Sequence, residues 1–111
     1  MSYIFPPKAI STVPIKGSDQ LYPVNRIYCV GQNYSDHVLE MGGDPKKNPP
    51  VFFSKPANAV VVNNMAVNYP SATEDLHYEV ELVVSLSAGG SNIQKEQALN
   101  CIFGYAVGID F

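Results

Sequence analysis

Residues 77–82 read HYEVEL and continue through Val83, Val84, Ser85 and Leu86. The run is rich in β-branched residues and predicts a strand. Side chains alternate along a strand, so His77, Glu79 and Glu81 take one face and Tyr78, Val80, Leu82 and Val84 the other. The second set is expected to face a core. The first set puts two carboxylates side by side; they repel, and burying either alone is costly. Solvent, a basic partner or a cation must compensate them.

Downstream, residues 101–111 read CIFGYAVGIDF, a second apolar, β-prone stretch that carries Asp110 near its end. Domains usually end in polar, frayed residues, so this end predicts a fragment, or a partner chain that covers it. Carboxylates from Glu79, Glu81 and Asp110, converging from two strands, would make a site for a hard divalent ion. The alternative is a sheet with one solvated face, and Glu-x-Glu by itself does not choose between the two.

Upstream, residues 1–25 hold Pro6, Pro7, Pro14 and Pro23 around Gly17, Ser18 and Asp19. That composition predicts an extended arm with a turn. RIYCV (26–30) and VFFSKP (51–56) predict strands, the second ended by Pro56. Between them, Ser35 or Asp36 as N-cap and Gly42 with Gly43 at the end frame a helix of about two turns. A polar, proline-rich loop follows. NAVVVNNMAVNYP (58–70) predicts two short strands around a tight turn at Asn63 and Asn64. QKEQALN (94–100) starts helical and leads to the last strand. The fold class is mostly β with short helices, and the absence of long helical periodicity argues against a doubly wound βαβ sheet.

Other residues carry possible chemistry. His37 and Glu40 are three apart, so on a helix they share a face. A carboxylate beside an imidazole orients it and raises its basicity, which suits activation of water; the alternative is an exposed helix face with a favourable contact. Lys55, late in an apolar strand, would hold an anionic substrate or else extend to solvent. His77 would support the carboxylates on its face or simply be solvated. Gly31 lies in no dinucleotide fingerprint, and no zinc spacing or nucleophile elbow is present.

The 111 residues suit one domain with a modest core. The net charge of −3 and the absence of a Lys/Arg cluster argue against nucleic acid. No apolar run is long enough to span a membrane, and the N-terminus lacks a signal-peptide layout. Cys29 and Cys101, far apart in apolar segments, are expected to be buried thiols in a reducing compartment, the cytoplasm.

Taken in order, IYCVGQNYSDHVLEMG, PPVFFSKPANAVV, YPSATEDLHYEVELVVSL and FGYAVGIDF resemble the fumarylacetoacetate hydrolase family, nearest its fumarylpyruvate and acylpyruvate hydrolase branch. The resemblance implies a mixed β-sandwich roll, usually a homodimer, with Mg²⁺ or Mn²⁺ at the site. Its E-x-E carboxylates match Glu79 and Glu81, the aspartate of its G-x-D segment matches Asp110, and its helix-borne pair matches His37 and Glu40. The implied chemistry is hydrolysis of a carbon–carbon bond in a 1,3-diketo acid, as in aromatic catabolism. The ion chelates the 2-oxo acid end and the His–Glu pair activates water. Some relatives decarboxylate oxaloacetate or isomerise keto acids instead.

Two departures stand out. Gln32 occupies a position where the family commonly has arginine. The family's chain also continues beyond its aspartate, supplying an arginine, a lysine and much of the sheet. Residues 26–111 are therefore expected to be the N-terminal part of a truncated catalytic domain, preceded by the arm. Alone they are expected to bind metal weakly and turn over little. A non-catalytic dimerisation domain is the reading from another class.

Overall fold

The computed structural model describes residues 1–31 and 49–111. These divide into two compact units, Met1–Val67 and Asn68–Phe111. The expected helix between Ser35 and Gly43 lies outside the described residues.

In the first unit, β1 (Thr12–Pro14) and β2 (Leu21–Pro23) form a small antiparallel ladder within the proline-rich arm. The chain reverses at Gly17, whose φ of 76° lies in the left-handed region that glycine tolerates. Val24 N–H donates to the Ser11 carbonyl at 2.8 Å and closes the open end. The two expected strands follow as β3 (Ile27–Gly31) and β4 (Val51–Lys55), paired antiparallel from Ile27 opposite Lys55 to Gly31 opposite Val51. Pro56 stops β4, because it has no N–H to give a ladder, and a single 3₁₀ turn, Ala57–Ala59, comes next.

The turn at Asn63 and Asn64 forms, but the strands expected around it do not. Both asparagines have positive φ, 59° and 57°, and Met65 N–H donates to the Val62 carbonyl at 3.2 Å. The flanks make no ladder. The 3₁₀ turn takes the upstream residues, and two such short strands are marginal without a third element beneath them.

The second unit is built on β5 (Glu79–Leu86) and β6 (Ile102–Asp110), antiparallel and longer than any other pair among the described residues. Glu79 pairs with Asp110, Glu81 with Gly108, Val83 with Ala106 and Ser85 with Gly104. The register shifts between Ser85 and Leu86, away from the carboxylates. Ser87 N–H then donates to the Cys101 carbonyl at 2.8 Å. The connection carries a short helix, α1 (Lys95–Ala98), and a 3₁₀ turn, Leu99–Cys101. β5 starts two residues later than expected, because β6 ends at the partner of Glu79.

The alternation holds, but the apolar face of β5 is not covered. Val80 is 60% exposed, Leu82 63% and, across from it, Val107 79%. No described residue is fully buried. Two strands have no second layer of their own, and an apolar sheet face needs one. Cys29 and Cys101, expected to be buried, are half-buried, and neither is in a disulfide. Among the described residues no helix is long and apolar enough to cross a membrane.

The Asn63–Asn64 turn yields a direct test. Valine in the left-handed region is strained, so Asn63→Val should destabilise the chain by about 1–2 kcal/mol. Asn64→Gly should be neutral or slightly stabilising. Urea unfolding of the three proteins measures both.

Candidate metal centre

Opposed residues of an antiparallel pair point to the same side of the sheet. Pairing Glu79 with Asp110 therefore sets those two carboxylates on one face, and Glu81, two residues along β5, joins them. Glu81 and Asp110 are half-buried, whereas the apolar side chains on the other face are exposed. The small residues Gly104, Ala106 and Gly108 alternate along β6 on the carboxylate face, so little side chain stands over that surface.

The electrostatics follow from the crowding. Partial burial raises the pKa of Glu81; a hydrogen bond and charge repulsion from Glu79 add to it, and the charge of Asp110 adds less. The neutral acid is favoured where a second negative charge is hard to hold. Glu79 and Glu81 thus interact closely, while Asp110 acts through its charge. Among the described residues, however, no three His, Cys, Asp or Glu side chains gather tightly enough to hold an ion. The backbone brings the three carboxylates to one face, with Glu79 and Glu81 in hydrogen-bond contact. Carboxylate oxygens are the donors that Mg²⁺ or Mn²⁺ prefers, and a cation among them would relieve the repulsion that raises Glu81. The donor set fits a hard divalent ion.

The segment leading into β5 is pinned locally. The Tyr69 hydroxyl accepts from Leu76 N–H at 2.9 Å, and Thr73 Oγ1 accepts from Asp75 N–H at 3.1 Å. His77 Nε2 lies 3.0 Å from Asp75 Oδ2, with both side chains exposed. The hydrogen bond and charge of Asp75 raise the His77 pKa. The sequence pattern did not identify Asp75 as the partner of His77.

Lys55 closes β4 in the first unit, half-buried and opposite Ile27. It lines an open cleft of about 270 Å³ together with Asn25, Arg26 and Ser54. His37 and Glu40 lie outside the described residues.

The chain is similar to several known proteins. The family model "Fumarylacetoacetate (FAA) hydrolase C-terminal" matches residues 26–111. A crystal structure of fumarylpyruvate hydrolase from Pseudomonas aeruginosa, in complex with Mn²⁺ and pyruvate, superposes with a TM-score of 0.92 at 50% identity; the match covers 98% of this chain and 48% of that one. An oxaloacetate tautomerase of Caenorhabditis elegans, fahd-1, is 43% identical over 86 residues, 77% of this chain and 39% of its own. The Escherichia coli oxaloacetate tautomerase YcgM is 37% identical over 89 residues, 80% of this chain and 40% of its own. The chain thus spans about half the length of the solved structure and less of these curated relatives.

The raised pKa values fix the sign of a pH dependence. The folded form binds these protons more tightly than the unfolded form, so the stability they contribute is present at low pH and is lost as pH rises through the raised values. In metal-free protein the contribution of Glu81 should fade as pH rises above the ordinary glutamate value, while the exposed His77–Asp75 pair should add little. Glu81→Gln should abolish that fading and His77→Gln should leave it in place, as read by thermal unfolding from about pH 4 to 8, a range that includes the reference glutamate value. Fading that survives Glu81→Gln would count against the carboxylate cluster.

Proposed function

The chain belongs to the fumarylacetoacetate hydrolase family, and from that premise we propose a divalent-metal-dependent enzyme that hydrolyses a carbon–carbon bond in a 1,3-diketo acid of the fumarylpyruvate or acylpyruvate type. The observation that carries the reading is the pairing of Glu79 with Asp110, with Glu81 on the same face. The likeness to a fumarylpyruvate hydrolase complexed with Mn²⁺ and pyruvate supports it, since pyruvate is the keto-acid half that such a cleavage releases.

In this proposal Glu79, Glu81 and Asp110 would hold Mg²⁺ or Mn²⁺ through their oxygens. The ion would supply Lewis acidity at the 2-oxo acid end of the substrate and offset charge that develops there. His37 takes a proton from water, and Glu40 orients the imidazole. The water oxygen bonds to the distal carbonyl carbon. The electrons of the broken carbon–carbon bond leave with the keto-acid fragment, which then takes up a proton. Lys55 is assigned to an anionic group of the substrate. The roles of His37 and Glu40 rest on their spacing in the sequence. A homodimeric state and a cytoplasmic location belong to the same proposal.

The tautomerase relatives favour a second reading on the same centre, keto-acid isomerisation. There a proton moves between carbon and oxygen and no bond to water forms. Both reactions handle the enol form of a 2-oxo acid, so the same carboxylates serve either. The acid–base group and the shape of the acyl side separate them.

Calorimetric titration with Mn²⁺ tests the centre. Glu79→Gln and Asp110→Asn should each weaken binding by more than about a hundredfold, beyond what residues that only support ligands usually cost. Circular dichroism confirms that each variant is folded. Binding should also weaken as pH falls, because protons compete for the carboxylates. Incubation with fumarylpyruvate and with oxaloacetate then separates the readings. Fumarate and pyruvate as products support hydrolysis, enol–keto exchange alone supports the isomerase, and CO₂ release marks a decarboxylase. Low turnover is expected from the 111 residues by themselves.

A further inference from the structure

Gly108 pairs with Glu81 and stands two residues before Asp110 on the same face of β6. A Cβ placed on Gly108 would lie 2.7 Å from Cγ2 of Val83, well inside the separation at which carbon atoms attract. Val83 follows Glu81 by two residues, so it too lies on the carboxylate face. Its methyl group occupies the space that any side chain at position 108 would need.

We propose that Gly108 is a positioning residue for the carboxylate cluster. Its missing side chain lets Val83 lean across β6, and it lets the two strands meet closely enough for Asp110 to stand opposite Glu79. Val83 is β-branched and stiff at χ1, so a collision at 108 is relieved either by an unfavourable rotamer or by separation of the strands. The carboxylate end of the ladder, three pairs from Glu79 opposite Asp110 to Glu81 opposite Gly108, takes up that separation.

The same strand provides a contrast. Gly104 faces the same way, opposite Ser85, and a Cβ there would meet nothing within 4 Å. Glycine in a strand interior ordinarily weakens it. At 104 no close contact demands it, and at 108 one does. The effect on metal affinity rests on the proposed function; the packing role does not.

The test uses the full chain as wild type, Gly108→Ala, Gly104→Ala and the double variant Gly108→Ala/Val83→Ala. NMR reads the cross-strand proton contacts that link 79 with 110 and 82 with 107, and Mn²⁺ affinity is measured on the same samples. In Gly108→Ala the contacts at 79 and 110 should be lost or weakened, and affinity should fall by about tenfold or more, the range for residues that hold ligands in place. Gly104→Ala should match wild type in both. The double variant should recover both, because removing the Val83 methyl groups frees the space. Wild-type contacts and affinity in Gly108→Ala would overturn the proposal. So would a double variant that stays disrupted while a folded Gly104→Ala does not, and this comparison decides even if Gly108→Ala alone fails to fold. A wild-type chain that binds no Mn²⁺ sinks the metal reading alone, and the cross-strand contacts still decide the role of Gly108.

Discussion

The pairing of Glu79 with Asp110 is the constraint on which the candidate centre depends. Strand side chains have a period of two, so a slip of one residue would send Asp110 to the opposite face from the glutamates. The irregularity between Ser85 and Leu86 sits at the far end of the ladder and leaves the carboxylate end in register. Pairing resumes beyond it at Ser87 and Cys101. The ladder absorbs its misfit where no chemistry is proposed.

That register has an electrostatic cost. It sets three acidic groups on one face, and Glu81 responds by holding its proton more tightly. In a sheet evolved for stability alone, like charges would not be placed as neighbours. The cost makes sense where a cation is to be held, since the same crowding that destabilises the empty cluster favours the ion. The opposite face of the hairpin is apolar and exposed, with Val80, Leu82 and Val107 uncovered. One pair of strands thus carries a face with three carboxylates and an apolar face that calls for a further layer.

The small residues of β6 serve the same arrangement. Gly104, Ala106 and Gly108 keep side chains off the carboxylate face, and Val83 fills the space over Gly108. A side chain at 108 would collide with Val83, whereas at 104 there is open space. In the first unit the same economy appears at Gly17, Asn63 and Asn64, whose positive φ values reverse the chain in few residues.

Much of this was legible in the sequence. The alternation in HYEVEL, the strands at 26–30 and 51–56, the turn at Asn63 and Asn64, and the short helix after Gln94 all follow from local preferences, which need only neighbours along the chain. The family was legible from four blocks in order. Other features were decided only in three dimensions. The flanks of the asparagine turn did not become strands, because such short strands are marginal without further pairing. The exposure of the Val80 and Leu82 face depends on which layers cover a sheet, and alternation is silent on that. The partner of His77 and the need for glycine at 108 rather than 104 are contacts through space. The sequence by itself determined which residues point the same way along each strand. Only the tertiary structure decided which strand lies opposite, and with it that Asp110 meets Glu79, because cross-strand register joins residues far apart in the chain.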